Sequence, residues 1–322
     1  MKKITIWTTA LMIAISVAVV SLAAKPAAQT GIDLLNVLPD GKGAVVIDVQ
    51  KVVTSSLFTQ EKLKNLLDKA QNEIAHIGLN ISDFNAVAIS FPAAGLSNPT
   101  IAISGTLNQN TILAQLRDKP NVKVESEKYK GFDIQKVTEV SKPDANGKAA
   151  VNINNSTAFV FFDSNTTVVS SLAGVRAAID ARGGERPSLA KNTEITGALS
   201  QNPTAPISFA LQMDANAAKG LANNSLPLPN FDTLKLVFGA VELTNGVGIN
   251  ATLRSDNAEH AKAMADQLTG LVGMVKGFLS ASNDPKLAPL GDALKNLTVT
   301  TIDADVKING TFPMELISQF LK

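Results

Sequence analysis

Apolar and polar positions alternate along this chain in two rhythms, one of two residues and one of three to four, and the chain switches repeatedly between them. The β-branched run "GAVVIDVQKVV" (43–53) reads as a strand. Leu63, Leu66, Leu67, Ala70, Ile74 and Ile77 then fall on one face of a helix over 60–77. Thr59 stands at its N-cap, Phe58 and Leu63 at the positions of a hydrophobic staple, and Gly78 at its stop. "FNAVAISF" (84–91) and "TIAISGTL" (100–107) read as a hairpin, followed by a short helix over 110–118. A second hairpin over 122–137 turns at Lys130-Gly131, and a third turns at Ser164-Asn165. Two helices reach to about residue 200, and "PISFALQMD" (206–214) is a further strand. Thr244-Asn245-Gly246 joins "LKLVFGAVEL" to "GVGINATL", because Asn-Gly accepts positive φ. A long helix (256–281), a short helix, a strand over 296–310 and a last helix over 313–321 complete the pattern.

This succession predicts an α+β fold, with antiparallel sheets built from β-hairpins and amphipathic helices packed on one face. Strand-hairpin-helix units repeat. A strand leads at once into a capped helix at 101–116, 167–180 and 248–268, and the first and third share Ile-x-x-Thr-Leu. Each junction places small polar residues where a helix needs its first N–H groups satisfied. Asp256 and Glu259 have the spacing of a capping box. The expected organisation is a signal peptide (1–24), a linker leading in (25–42), an N-terminal subdomain (43–214), an irregular connection (215–233) and a C-terminal subdomain (234–322).

The first 24 residues carry Lys2 and Lys3, then an apolar stretch from Ile4 to Val20, then the small residues Ser21-Leu22-Ala23. That is the pattern of a secretory signal peptide. An uncleaved anchor is the rival reading, since the stretch approaches the ~20 residues a bilayer requires. The expected location is therefore exported, periplasmic or extracellular, with no stable membrane span after cleavage. Without Lys2 and Lys3 the chain has 27 basic and 28 acidic residues, with no basic cluster of the kind nucleic acid requires. Cysteine is absent, so an exported chain has to be held by its core alone. Trp7 and Tyr129 are the only Trp and Tyr, which leaves few rings for a sugar cleft. The two histidines, His76 and His260, lie far apart in sequence.

Candidate chemistry is correspondingly thin. "TVVSSLAGVRAAIDARG" (167–183) has the strand, small polar turn and helix that can hold a nucleophile. It lacks the G-x-S-x-G pattern and a nearby histidine, so Ser170 and Ser171 read as capping residues. Asp256 and His260 sit four apart on one helix, which suits an exposed pair better than a metal site short of two ligands. In 301–310, Ile302, Ala304, Val306 and Ile308 are expected on one face of a strand, with Asp303, Asp305, Lys307 and Asn309 on the other. His76 suits the last turn of its helix through the dipole. In the long helix, Ala261, Met264, Leu268, Leu271, Val272, Val275 and Leu279 form a core stripe. Gly270, Gly273 and Gly277 form a bare seam beside it, at about 0.5–1 kcal/mol of helix stability each. The seam is expected to admit another element of the same chain, or else a partner protein or an acyl chain. No residue is assigned as catalytic, cofactor-binding or metal-ligating, and no cofactor is expected.

The stretches "LPDGKGAVVIDVQKVV", "SEKYKGFDIQKV", "TLRSDNAEHAKAMADQLTGL" and "FPMELISQF" resemble those of uncharacterised exported, cysteine-free α+β proteins of Gram-negative bacteria. The resemblance covers most of the chain and implies an envelope or secreted location, with no family activity to carry over. Two functions of different class follow. One is a non-catalytic envelope or secreted protein that binds a protein partner or an apolar small molecule or lipid. The other is a Ser/Lys/Asp hydrolase without histidine, which needs a serine hydroxyl within reach of a lysine or carboxylate.

Overall fold

The structure is a computed structural model that describes residues 30–59, 61–92, 98–140, 151–214, 231–244, 246–282, 288–313 and 316. The fold class is α+β with antiparallel strands, as the hairpin pattern predicts. The chain divides into two compact units, Met1–Thr54 with Lys64–Thr196, and Ser55–Leu63 with Gly197–Lys322.

In the first unit the strands are Gly43–Asp48 (β1), Phe84–Phe91 (β2), Thr100–Gly105 (β3), Val122–Tyr129 (β4), Phe132–Val140 (β5), Val151–Phe161 (β6) and Thr166–Ser170 (β7). They run in the order β1-β2-β3-β7-β6-β5-β4. Every neighbouring pair in that row is antiparallel. The helices Val49–Val53 (α1), Glu61–Ala75 (α2, in this unit from Lys64 on), Gln109–Arg117 (α3) and Leu172–Arg182 (α4) intervene. Helix α4 packs against β3, β5, β6 and β7. Leu67, Ala70 and Ile74 of α2 are buried, as their spacing requires. The helix ends at Ala75, so His76 lies just beyond its last turn and not inside it. The side chains of Thr59, Leu63 and Leu66, and hence the proposed N-cap and staple, lie outside the described residues.

Two readings of this unit change. The run 43–53 is not one strand: β1 stops at Asp48, whose carboxylate accepts the Lys51 N–H at 3.0 Å and caps α1. Val49, Val52 and Val53 are all buried, and their i, i+3, i+4 spacing serves a helix, so tertiary burial overrides β propensity. Nor is the lead-in merely a linker. Asp33–Asn36 forms a 3₁₀ turn, and Leu34, Leu35 and Leu38 are fully buried.

In the second unit the helix Thr193–Leu199 (α5) spans the division between the units and precedes the strands Ile207–Gln212 (β8), Leu234–Leu243 (β9) and Val247–Ser255 (β10). The helices Ala258–Ala281 (α6) and Ala288–Lys295 (α7) follow, then the strands Thr298–Ile302 (β11) and Asp305–Phe312 (β12). The row is β11-β12-β10-β9-β8, again antiparallel throughout. Strand β8 pairs with β9. It falls in this unit, whereas the sequence pattern grouped it with residues 43–214. Residues 215–230 of the expected connection, Asn245 of the expected turn and most of the expected last helix over 313–321 lie outside the described residues.

The single strand over 296–310 is in fact a hairpin. Asp303 has φ of 53° and, with Ala304, makes a two-residue turn between β11 and β12. An acidic side chain tolerates that left-handed backbone by bonding locally. Pairing Ile302 with Asp305 reverses the parity, so Ile302 shares a face with Asp305 and Lys307 and not with Val306. Val306 is fully buried in a core with Met213, Leu234, Leu253, Ala261, Met264 and Ala265, while Ile302 is 54% exposed.

The strand-to-helix junction recurs four times, once more than the sequence pattern shows. Besides Asp48, Asn108 accepts from Thr111 N–H at 3.1 Å and Ser171 from Gly174 N–H at 3.2 Å. At α6 the cap is Asn257, accepting from His260 N–H at 2.9 Å, one residue later than the expected Asp256. The α4 junction is tight, because a Cβ on Gly174 would lie 2.1 Å from Ser170 Oγ and 2.7 Å from its Cβ. A helix interior normally favours alanine over glycine by about 1 kcal/mol. Here overpacking of about 1–3 kcal/mol opposes that gain. Gly174→Ala is expected to give a net loss of up to about 2 kcal/mol in urea unfolding. Gly197→Ala, in α5 where a Cβ meets nothing within 4 Å, is expected to change stability in the opposite direction.

Candidate functional site

The chemistry proposed for residues 167–183 dissolves into local structure. Ser171 caps α4. Ser170 is buried on β7, where its hydroxyl donates to the Pro99 carbonyl at 3.0 Å and lies 3.2 Å from Thr100 Oγ1. Neither hydroxyl is hydrogen-bonded to a lysine or a carboxylate in these contacts, so the hydrolase reading loses the serines it rested on.

Asp256 and His260 find each other. His260 Nδ1 lies 2.7 Å from Asp256 Oδ1 at the start of α6, and that hydrogen bond holds the Asp256 carboxyl below its ordinary range. Among the described residues no three His, Asp or Glu side chains gather as metal ligands.

One polar cluster escaped the sequence analysis because its members lie about fifty residues apart. The turn of the β4–β5 hairpin, with Lys130 at φ 47° and Gly131 at φ 84°, lies against α4 and the loop after it. Tyr129 donates its hydroxyl to Asp180 Oδ1 at 3.1 Å, and the Lys130 ammonium lies 2.5 Å from the same oxygen while also meeting Glu185. Arg176 engages Glu127 of β4 through two guanidinium nitrogens and stacks over the Tyr129 ring at 5.4 Å. Lys130 holds the Asp180 carboxyl below its ordinary range, with Tyr129 adding to the effect. The two carboxylates raise the Lys130 ammonium above its own range. An ammonium already engaged by two carboxylates is a poor nucleophile or base. The cluster is a clasp that fixes the hairpin to the helix.

The remaining feature is α6. Its first half is built into the core: Ala261, Met264 and Ala265 are buried against Leu234, Leu253 and Val306, with Leu268 packed beside them. Its second half departs from the expected stripe. Leu271, Val272 and Leu279 are half-buried, but Val275 is 41% exposed, and Met274 and Phe278 are 70% exposed. At 100° per residue Gly270, Met274, Gly277, Phe278 and Ala281 share one outward face, with Gly273 at its margin. A Cβ added at Gly270, Gly273 or Gly277 would meet nothing within 4 Å, so no described element packs into the seam. This corrects the expectation that another part of the chain fills it. The face is apolar, and Lys276 lies away from it, about 150° round the helix from its centre. Its arrangement provides a flat strip beside two projecting apolar side chains, which suits contact with another apolar surface.

No family model matches the sequence, and no curated protein matches it. Among solved structures the chain is similar to two crystal forms of a protein named TP0453. Form I matches at 15% identity and a TM-score of 0.47, over 89% of this chain and 95% of that one. Form IV matches at 12% identity and a TM-score of 0.47, over 90% and 96%. Likeness at this level carries no function across. No helix among the described residues is long and apolar enough to cross a membrane.

The clasp has a pH signature. A carboxyl whose folded pKa is lowered contributes stability above its unfolded pKa and loses it as pH falls through the lowered value. The Asp180 contribution is therefore expected to be complete above about pH 5 and to fade below about pH 4. Hydrogen exchange of the Tyr129–Phe132 amides checks this. Asp180→Asn is expected to speed exchange at pH 7, and the difference from the parent chain is expected to shrink in acid.

Proposed function

We propose that this chain is an exported, non-catalytic binding protein whose working surface is the outward face of the second half of α6. One observation carries the reading: three glycines and two large apolar side chains share a solvent-facing helical strip that nothing among the described residues covers. Each glycine weakens the helix by about 0.5–1 kcal/mol relative to alanine. Withdrawal of Met274 and Phe278 from water would contribute roughly 1.5–3 kcal/mol each. A strip of this kind admits close approach of an apolar partner, either the surface of another protein or a lipid chain. The signal-like residues 1–24 and the resemblance to exported envelope proteins support a periplasmic or extracellular setting for that contact.

Two kinds of variant test the reading. Native mass spectrometry of the purified chain is expected to show a bound lipid or protein and a polypeptide mass lacking the N-terminal segment. Met274→Glu with Phe278→Glu is expected to reduce the bound fraction about tenfold or more, a loss of ~1.4 kcal/mol. Gly273→Ala with Gly277→Ala is expected to raise stability by about 1–2 kcal/mol while weakening binding. Glycines that serve the fold alone would show no such split. A chain that purifies with nothing bound, or whose bound species ignores all four substitutions, would refute the proposal.

A further inference from the structure

Among the described residues β4 and β11 are end strands of the two rows, and they are protected unequally. Strand β4, at the end of the first unit's row, carries Lys123, Glu125, Glu127 and Lys128 among its eight residues. Charges on an edge discourage pairing with another chain. Strand β11, at the end of the second unit's row, reads Thr-Val-Thr-Thr-Ile with no charge, no proline and no bulge in its register with β12. Thr298, Thr300, Thr301 and Ile302 are all exposed.

The backbone determines what can bind there. The two-residue turn makes Ile302 and Asp305 a hydrogen-bonded pair, and alternation then sends the N–H and C=O groups of Thr300 and Thr298 toward β12 as well. The N–H and C=O groups of Val299 and Thr301 therefore point away from the sheet. Only an extended polypeptide can satisfy four such groups in a row. We propose that the occupant is a second copy of this chain, with β11 pairing antiparallel to β11 about a two-fold axis at Thr300.

The sequence suits that symmetry. Thr300 stands opposite Thr300 of the second copy in the wide, non-hydrogen-bonded position. Val299 exchanges both backbone bonds with Thr301 of that copy, and Thr301 with its Val299. Threonine pairs favour such a ladder, and Ile302 gains cover from Thr298 of the other copy. A self-pairing edge sets the residue on its axis against its own counterpart, so a charge there would meet a like charge. Strand β11 has none, whereas β4 has four. The continuous sheet also places both α6 helices on one face, since α6 packs on β11.

The absence of cysteine makes the test direct. A non-hydrogen-bonded cross-strand pair has Cα atoms about 4.5 Å apart, within the range of a disulfide. Under mild oxidation Thr300→Cys is expected to form a disulfide-linked dimer at least about tenfold faster than Thr298→Cys, whose two copies would stand about 13 Å apart. Adding Thr301→Pro to Thr300→Cys removes an outward N–H at an edge where proline is tolerated, and is expected to abolish the cross-link without unfolding the chain. Comparable cross-linking at 298 and 300, or none at 300, would overturn the pairing. So would a cross-link that survives Thr301→Pro in a chain shown to be folded. None of these variants touches the α6 strip, so the outcome is independent of whether that strip binds.

Discussion

A helix that begins where a strand ends has amide groups with no partner, and the supply of those partners organises this protein. Asp48, Asn108, Ser171 and Asn257 each lend a side-chain oxygen to the amide three residues on. The same requirement explains why Ser, Asn and Asp crowd the junctions, and why a serine pair that looks reactive in the sequence is occupied. Ser171 serves the helix and Ser170 serves a neighbouring carbonyl. Polar side chains used in this way are not available for a reaction. The fit is close enough that Gly174, next to Ser170, leaves no room for a methyl group.

Where charges do gather, they fasten elements to one another. The β4–β5 turn reaches α4 through Lys130, Tyr129 and Arg176, while Arg254 of β10 forks onto Asp305 of β12 at 2.7 and 2.8 Å. Bidentate pairing of this kind fixes orientation as well as distance. In a chain without disulfides, such contacts sit where neighbouring elements meet, and no charged side chain is fully buried among the described residues.

Helix α6 shows the opposite condition. One half is anchored by Ala261, Met264 and Ala265, and the other keeps its apolar residues exposed. A single periodic pattern runs through both halves, because helical spacing depends on the chain and burial depends on what lies opposite. Beyond Leu268 no described element covers the outward face, and the glycines there give flatness that the fold does not use.

Much of the architecture was legible in the sequence. Among the described residues, alternation and Gly- or Asn-marked turns locate nearly every hairpin, and helical periodicity locates every α-helix but α1. Both signals are local, set by backbone geometry within a few residues. The α1 helix and the β11–β12 turn are not legible in the sequence, because valine-rich and alternating runs fit strands equally well. Burial of Val49, Val52 and Val53 settled the first, and a left-handed Asp303 settled the second. The clasp joins residues about fifty positions apart, so no local pattern could reveal it. The α6 strip was visible as a glycine seam, yet only tertiary packing decides whether such a seam is filled or open. A sequence states which faces can be apolar; the neighbours that cover them are chosen by long-range contacts.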